Sequence, residues 1–322
     1  MNHSISTMNQ IGLSAAIAGA LSTGLLTALV NGAKTAEAHA RDLSLDARGV
    51  LRVLDVLVAF DVASKEGDRY GASPALKKAA DETPTGLELM ANLWGHVPTL
   101  LRTGRPFIEM DAQPEKRNAI YANVVPGLGR MFASSAKDLA SRLEGTPKRI
   151  LDIGCGSGVW SLAIAERFAG ARVTGLDLPD VLGAFKARAT EMSLADRIDT
   201  IPGDMHHVEV PAKAFDMVVV ANVIRLEEHD SAKRLLAKAA TAVAPGGSLV
   251  VVDAFSDGTK ESEQALRIYA LHLTIRTQKG RIYEANDVKE WMTGAGLEGA
   301  RDLPLEDRGP GAIGVLIARR PA

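Results

Sequence analysis

Ile150-Leu151-Asp152-Ile153-Gly154-Cys155-Gly156-Ser157-Gly158-Val159-Trp160-Ser161 is the stretch on which the fold turns. Its first residues read as a buried strand. Alternating glycines follow, and a helix opens directly behind them. Glycines let the backbone turn tightly and let a ligand approach the main chain with no Cβ in the way. The spacing is D-x-G-x-G-x-G, which differs from the G-x-G-x-x-G of dinucleotide-binding loops.

Beyond this loop, strands and helices alternate. The pattern predicts strands over Arg149–Ile153, Arg172–Leu176, Ile198–Ile201, Phe215–Ala221 and Ser248–Asp253. A late pair is predicted near Gly299–Leu303 and Ile313–Ala318, and helices fill the gaps, among them Trp160–Phe168 and Ala232–Val243. Such alternation specifies an α/β, Rossmann-like domain with a mostly parallel sheet and helices on both faces. Asp177 closes the second strand about 20 residues after the loop, where a carboxylate accepts bonds from ribose hydroxyls. Read alone, an Asp in that place is a helix cap; its register with the glycine loop favours the ribose.

The D-x-G-x-G-x-G element resembles the first motif of class I methyltransferases that use S-adenosylmethionine (SAM). Three further stretches resemble later motifs of the same enzymes, in order and at normal spacing. They are Ile201-Pro202-Gly203-Asp204-Met205, Phe215 to Ile224, and Ala244-Pro245-Gly246-Gly247-Ser248 through Asp253. The resemblance implies SAM as cofactor, its methionine end on the Gly154–Gly158 loop, its ribose at Asp177 and its adenine near Asp204 and Met205. Cofactor contacts are thereby expected from Asp152, Gly154, Gly156, Gly158, Asp177, Leu178, Gly203, Asp204, Met205 and Asn222.

The N-terminal part reads as helical with one small hairpin. From Ile11 to Val30 there is no charged residue, about the length that spans a bilayer. Ser22-Thr23-Gly24 interrupts it and no Lys or Arg precedes it, so two short buried or interfacial helices are expected, with no membrane partner. Thr35 and Asp46 are N-cap candidates. Val50, Leu51, Val53, Leu54, Leu57 and Val58 recur at helical spacing, and Glu66-Gly67-Asp68 suits a hairpin tip. Helix, turn, helix, wing is the winged-helix order. A DNA-recognition helix presents basic or amide side chains, but Arg48 and Arg52 are offset here by Asp46 and Asp55. A structural role without nucleic acid is expected instead. Leu93-Trp94 and Arg102-Thr103-Gly104-Arg105-Pro106, with the Gly67-Asp68-Arg69-Tyr70 wing and Asp177-Leu178-Pro179, look like the plant-type and bacterial small-molecule O-methyltransferases. That likeness implies a homodimer through the N-terminal domain. The expected division is 1–110 for that domain, 111–146 for connecting helices and 147–322 for the SAM-binding domain. The acceptor is expected beneath the Met110–Met131 connector and the helices after Asp253.

One position departs from that family. A His that serves as general base should follow Val223-Ile224, and Arg225 stands there. A guanidinium stays charged and cannot take the proton. Arg225 either holds an anionic acceptor or stabilises an enolate or phenolate, or it pairs with Glu227 or Glu228 in water. Other candidates for catalysis are His229, Asp253 and His272, with His206 and His207 just past the adenine stretch. An acceptor that ionises easily needs no base, because the transfer depends mainly on proximity and alignment. The 322 residues are 46% apolar and 24% charged with a formal net charge of -2, which gives no basic field for nucleic acid. Cys155, the single cysteine, excludes an internal disulfide and reads as a packing residue. No His, Cys or carboxylate cluster has metal-ligand spacing. The expected protein is a cytoplasmic, SAM-dependent enzyme that methylates a small molecule on oxygen, or else on carbon. Its rivals are a SAM-binding relative with a non-methylating reaction and a ligand-sensing DNA-binding regulator.

Overall fold

The computed structural model describes residues 7–82, 86–108, 125, 127–309 and 313–322. The chain divides into two units, Met1–Gly104 and Arg105–Ala322. Of the expected connector, Met110, Pro114, Asn123 and Pro126 lie outside the described residues.

In the first unit the uncharged stretch forms α1 (Thr7–Ser22) and α2 (Leu25–Asn31). Gly24 between them takes φ 77, and the pair is bent by 72°. Among the described residues no single helix is long and apolar enough to cross a membrane. Both predicted caps form: Thr35 Oγ1 accepts from Ala38 N at 3.2 Å and Asp46 Oδ1 from Gly49 N at 2.7 Å. They open α3 (Ala36–Asp42) and α4 (Ala47–Ala59). Val50, Leu54 and Leu57 of α4 pack in a core with Leu25, Leu26, Leu29 and Tyr70. The hairpin pairs β2 (Ala63–Glu66) with β3 (Arg69–Ala72). A third strand, β1 (Lys34–Thr35), joins β3; two residues are too few for periodicity to reveal. Helices α5 (Pro74–Glu82), α6 (Gly86–Gly95) and α7 (Val97–Thr103) complete the unit.

The second unit holds a seven-stranded sheet in the order β6-β5-β4-β7-β8-β10-β9. Its strands are β4 (Arg149–Ile153), β5 (Arg172–Asp177), β6 (Ile198–Pro202), β7 (Phe215–Ala221), β8 (Val243–Ala254), β9 (Glu298–Asp302) and β10 (Ile313–Arg319). The first five are parallel, and β10 runs antiparallel to both β8 and β9. Its helices are α8 (Ala133–Arg142), α9 (Val159–Arg167), α10 (Leu182–Glu191), α11 (His229–Ala242), α12 (Lys260–Arg276) and α13 (Ala285–Gly294).

Strand alternation sorts the core into two layers. Ile150, Val173, Met217 and Val219 pack with α8, α9 and α10 on one face. Leu151, Ile153, Val218 and Val220 pack with α11 and α13 on the other. β8 starts five residues before the predicted Ser248, because Ala244-Pro245-Gly246-Gly247 stays in the sheet as a register shift. Gly247 permits this: a Cβ there would lie 2.7 Å from the Asp216 carbonyl oxygen. The strand order reverses at β4 and β7, and open α/β sheets bind ligands in the crevice at that point.

Candidate active site

A cavity of about 470 Å³ lies at this crevice, within the size range of small-molecule sites. Gly154 and Gly156 enter its wall with φ 71 and 54. A Cβ on Gly154 would sit 2.7 Å from Val223 Cγ2, so glycine is required by both conformation and space. Asp177 caps this loop from the end of β5. Its Oδ2 accepts from Gly156 N and its Oδ1 from Leu178 N, each at 2.7 Å. Asp204 accepts from His206 N at 2.8 Å. Asn222 follows β7 with φ 61, a left-handed conformation that Asn tolerates.

Eight residues expected to hold the cofactor line the cavity: Gly154, Gly156, Asp177, Leu178, Gly203, Asp204, Met205 and Asn222. Asp152 and Gly158 do not. Asp152 shares the face of Ile150, so its carboxylate points to α9 and accepts from Ser161 Oγ. Burial raises its pKa to about 7. Gly158 is the left-handed residue before α9, and a Cβ on it would lie 2.4 Å from the Phe185 ring. Cys155 lines the cavity too, and burial pushes its thiol well up, which suits packing and not nucleophilic attack.

None of the four catalytic candidates lines the cavity. Arg225 does not face water. It is 7% exposed, and its Nη1 lies 3.2 Å from Asp253 Oδ1. The reason is topological: β7 and β8 are neighbours, so the turn after β7 aims Arg225 at the end of β8. The guanidinium also lies over the Tyr269 ring at 5.0 Å. Burial raises the Asp253 pKa, and Arg225 opposes the rise. His229 is half-exposed, with Asp230 at 2.9 Å and Trp291 edge-on at 5.0 Å. His272 is held neutral, since burial and then Arg276 lower its pKa to about 4.

Other cavity residues were not expected as ligand contacts. Trp160, 3% exposed, lines the wall, and its buried indole Nε1 has no hydrogen-bond partner among the described residues. Sequence puts Trp160 two residues past the last glycine but does not show where the ring points. Glu227, Ser231, Thr277 and Lys279 face the same space. His206 Nε2 lies 3.1 Å from Glu227 Oε1.

Residues 102–298 match the family model of the O-methyltransferase domain. The chain belongs to the O-methyltransferase family. This methyltransferase is 24% identical over 295 residues to the tetracenomycin polyketide synthesis 8-O-methyl transferase of Streptomyces glaucescens, covering 85% of this chain and 83% of that one. It is 22% identical over 313 residues to the 3-hydroxy-5-methyl-1-naphthoate 3-O-methyltransferase of Streptomyces sahachiroi, covering 93% and 90%. In fold it matches human N-acetylserotonin methyltransferase in complex with SAM, with a TM-score of 0.73, 17% identity and full coverage of both chains. The methyltransferase takes SAM as its cofactor and a small molecule as its acceptor.

The cavity fits that cofactor on its own chemistry. It offers a glycine cradle that a Cβ on Gly154 would fill. It also offers a carboxylate at Asp177 and two buried polar atoms, Asn222 Oδ1 and Trp160 Nε1, that have no hydrogen-bond partner among the described residues. Buried polar atoms find partners in native proteins, and here a polar ligand in the cavity can supply them.

Proposed function

We propose that this enzyme methylates oxygen on a small acidic acceptor, with the cofactor held at the ends of β4, β5, β6 and β7. The carrying observation is the convergence of the glycine loop, Asp177, Asp204 and Asn222 on one cavity. Asp177, fixed by two backbone N–H groups, accepts from the ribose hydroxyls. Asp204, beside Met205, accepts from the adenine amino group while Met205 packs on the ring. The amino-acid end rests on the glycine loop, its carboxylate toward the first turn of α9. Its N-cap residue, Gly158, has no side chain to cap that turn, and the N–H groups of a helix's first turn favour an anion. SAM supplies a methyl group on a cationic sulfur, which an oxygen aligned behind it can take.

Arg225 and Asp253 neutralise each other where the family resemblance called for a base. The acceptor therefore gives up its own proton to solvent, as a carboxylic acid, acidic enol or acidic phenol does near neutral pH. We assign the N-terminal unit to dimerisation on a winged-helix plan. Arg52 of α4 pairs with Asp55 at 3.2 Å, which supports a surface that carries no nucleic acid. The buried free thiol of Cys155 suits a reducing, cytoplasmic setting.

Calorimetric titration with S-adenosylhomocysteine, on wild type and Asp177→Ala, tests this reading. The expectation is micromolar binding that weakens at least about a hundredfold in the variant, since two hydrogen bonds to a charged acceptor are lost. Equal binding by both proteins would remove Asp177 from the site. A labelled-methyl screen across acids, enols and phenols then identifies the acceptor class.

A further inference from the structure

The cavity wall is built from two loops that the sheet does not connect. The loop after β6 carries Gly203, Asp204 and Met205, and the turn after β7 carries Asn222, Val223 and Leu226. β5 and β4 stand between β6 and β7, so no ladder bond sets the spacing of the two loops. A side-chain ion pair bridges them: His206 Nε2 to Glu227 Oε1 at 3.1 Å. Each end is anchored. His206 N donates to Asp204 Oδ1 at 2.8 Å, and Lys238 Nζ donates to Met205 O at 2.6 Å and to Val208 O. Ser231 Oγ donates to Glu227 Oε2 at 2.7 Å, and Tyr283 Oη donates to Glu227 O at 2.7 Å. His206, Glu227 and Ser231 all face the cavity.

We propose that the His206–Glu227 ion pair is a latch that sets the spacing of the two cofactor loops and makes cofactor affinity fall at alkaline pH. The proposal rests on the cavity's being the cofactor site. Both residues act through Asp204, Met205 and Asn222, so they are positioning residues. The hydrogen bond that His206 donates to Glu227 raises the His206 pKa, desolvation opposes it, and the charges of Glu227 and Asp204 add to the rise while Lys238 reduces it. At the same rim, Glu228 is paired with Lys279 at 3.3 Å and the exposed His207 lies 3.9 Å from Asp204. A raised pKa carries the imidazolium to higher pH than a solvent-exposed histidine would hold it. The charge, and with it the latch, is lost as pH rises through the raised value.

The test is calorimetric titration of the full chain with S-adenosylhomocysteine from about pH 6 to about pH 9, a span that brackets histidine titration. The proteins are wild type, His206→Gln, Glu227→Gln, the double variant, His206→Lys and Asp177→Ala. Wild-type Kd should rise about tenfold across the range, the scale of one charge-assisted hydrogen bond. Each Gln variant should bind about tenfold more weakly at the acid end and show no pH dependence, and the double variant should match the singles. His206→Lys should restore affinity and hold it to the alkaline end, since lysine stays charged there. A flat wild-type profile, additive single effects, or a Gln variant that keeps the alkaline loss would overturn the latch. If binding is lost in Asp177→Ala yet pH-independent in wild type, only the latch fails. If wild type binds nothing at any pH, the cofactor reading fails and takes the latch with it.

Discussion

At the residue scale, Trp160 carries the most chemistry that its position in the sequence does not announce. Its ring packs beside Phe132 with centroids 5.9 Å apart, while its N–H sits buried in the cavity wall with no partner among the described residues. If that donor meets the cofactor's carboxylate, Trp160→Phe keeps the packing and removes only the hydrogen bond. S-adenosylhomocysteine should then bind about tenfold more weakly, whereas 5′-methylthioadenosine, which lacks the amino-acid group, should bind as before. Calorimetry with both ligands measures this, and an equal loss for the two would place the indole elsewhere. Arg225 teaches the complementary point. Its departure from the family pattern was legible, but its partner was not, because Asp253 is 28 residues away and only the β7–β8 pairing brings them together.

At the element scale, the strand–loop–helix unit of β4 and α9 depends on a glycine that never touches the cavity. Gly158 holds φ 69 at the helix start, and a Cβ there would meet two Phe185 ring carbons at 2.4 and 2.6 Å. The left-handed conformation costs about 1–2 kcal/mol for a residue with a Cβ, and the overlap about 1–3 kcal/mol. Gly158→Ala should therefore lower unfolding free energy by about 2–5 kcal/mol, visible as an earlier denaturant midpoint. An unchanged midpoint would show that Phe185 moves freely, which its complete burial argues against. Element types were readable here because apolar runs, glycines and caps are local signals. β1 escaped notice because its partner β3 lies about 35 residues on, and the predicted strand starts only at Ser248, after Pro245-Gly246-Gly247, because a register shift is visible only against a neighbouring strand.

For the whole molecule, the N-terminal helix raises the question of assembly. α1 carries no charged residue and leaves Met8 73% and Ile11 57% exposed. Exposed apolar side chains on a helix without charge suit a protein–protein contact, and a second copy of the chain is the partner implied by the dimerising reading. Sedimentation velocity should find a dimer at micromolar concentration, and Ile11→Asp should shift it toward monomer while S-adenosylhomocysteine binding to the catalytic unit stays measurable. A monomeric wild type would end the dimer reading.

By itself the sequence determined the kind of fold and the cofactor, and it pointed to the loop proposed to receive it. Those depend on short-range facts: strand and helix periods, glycines where a Cβ cannot go, and a carboxylate one strand further on. Tertiary structure decided which side chains share the cavity. It turned Asp152 toward α9, buried Arg225 against Asp253, left His229 half-exposed and joined His206 to Glu227 across two intervening strands. The physical reason is that a side chain's direction and partner follow from sheet order and strand alternation, which bring together residues that have no common signature along the chain.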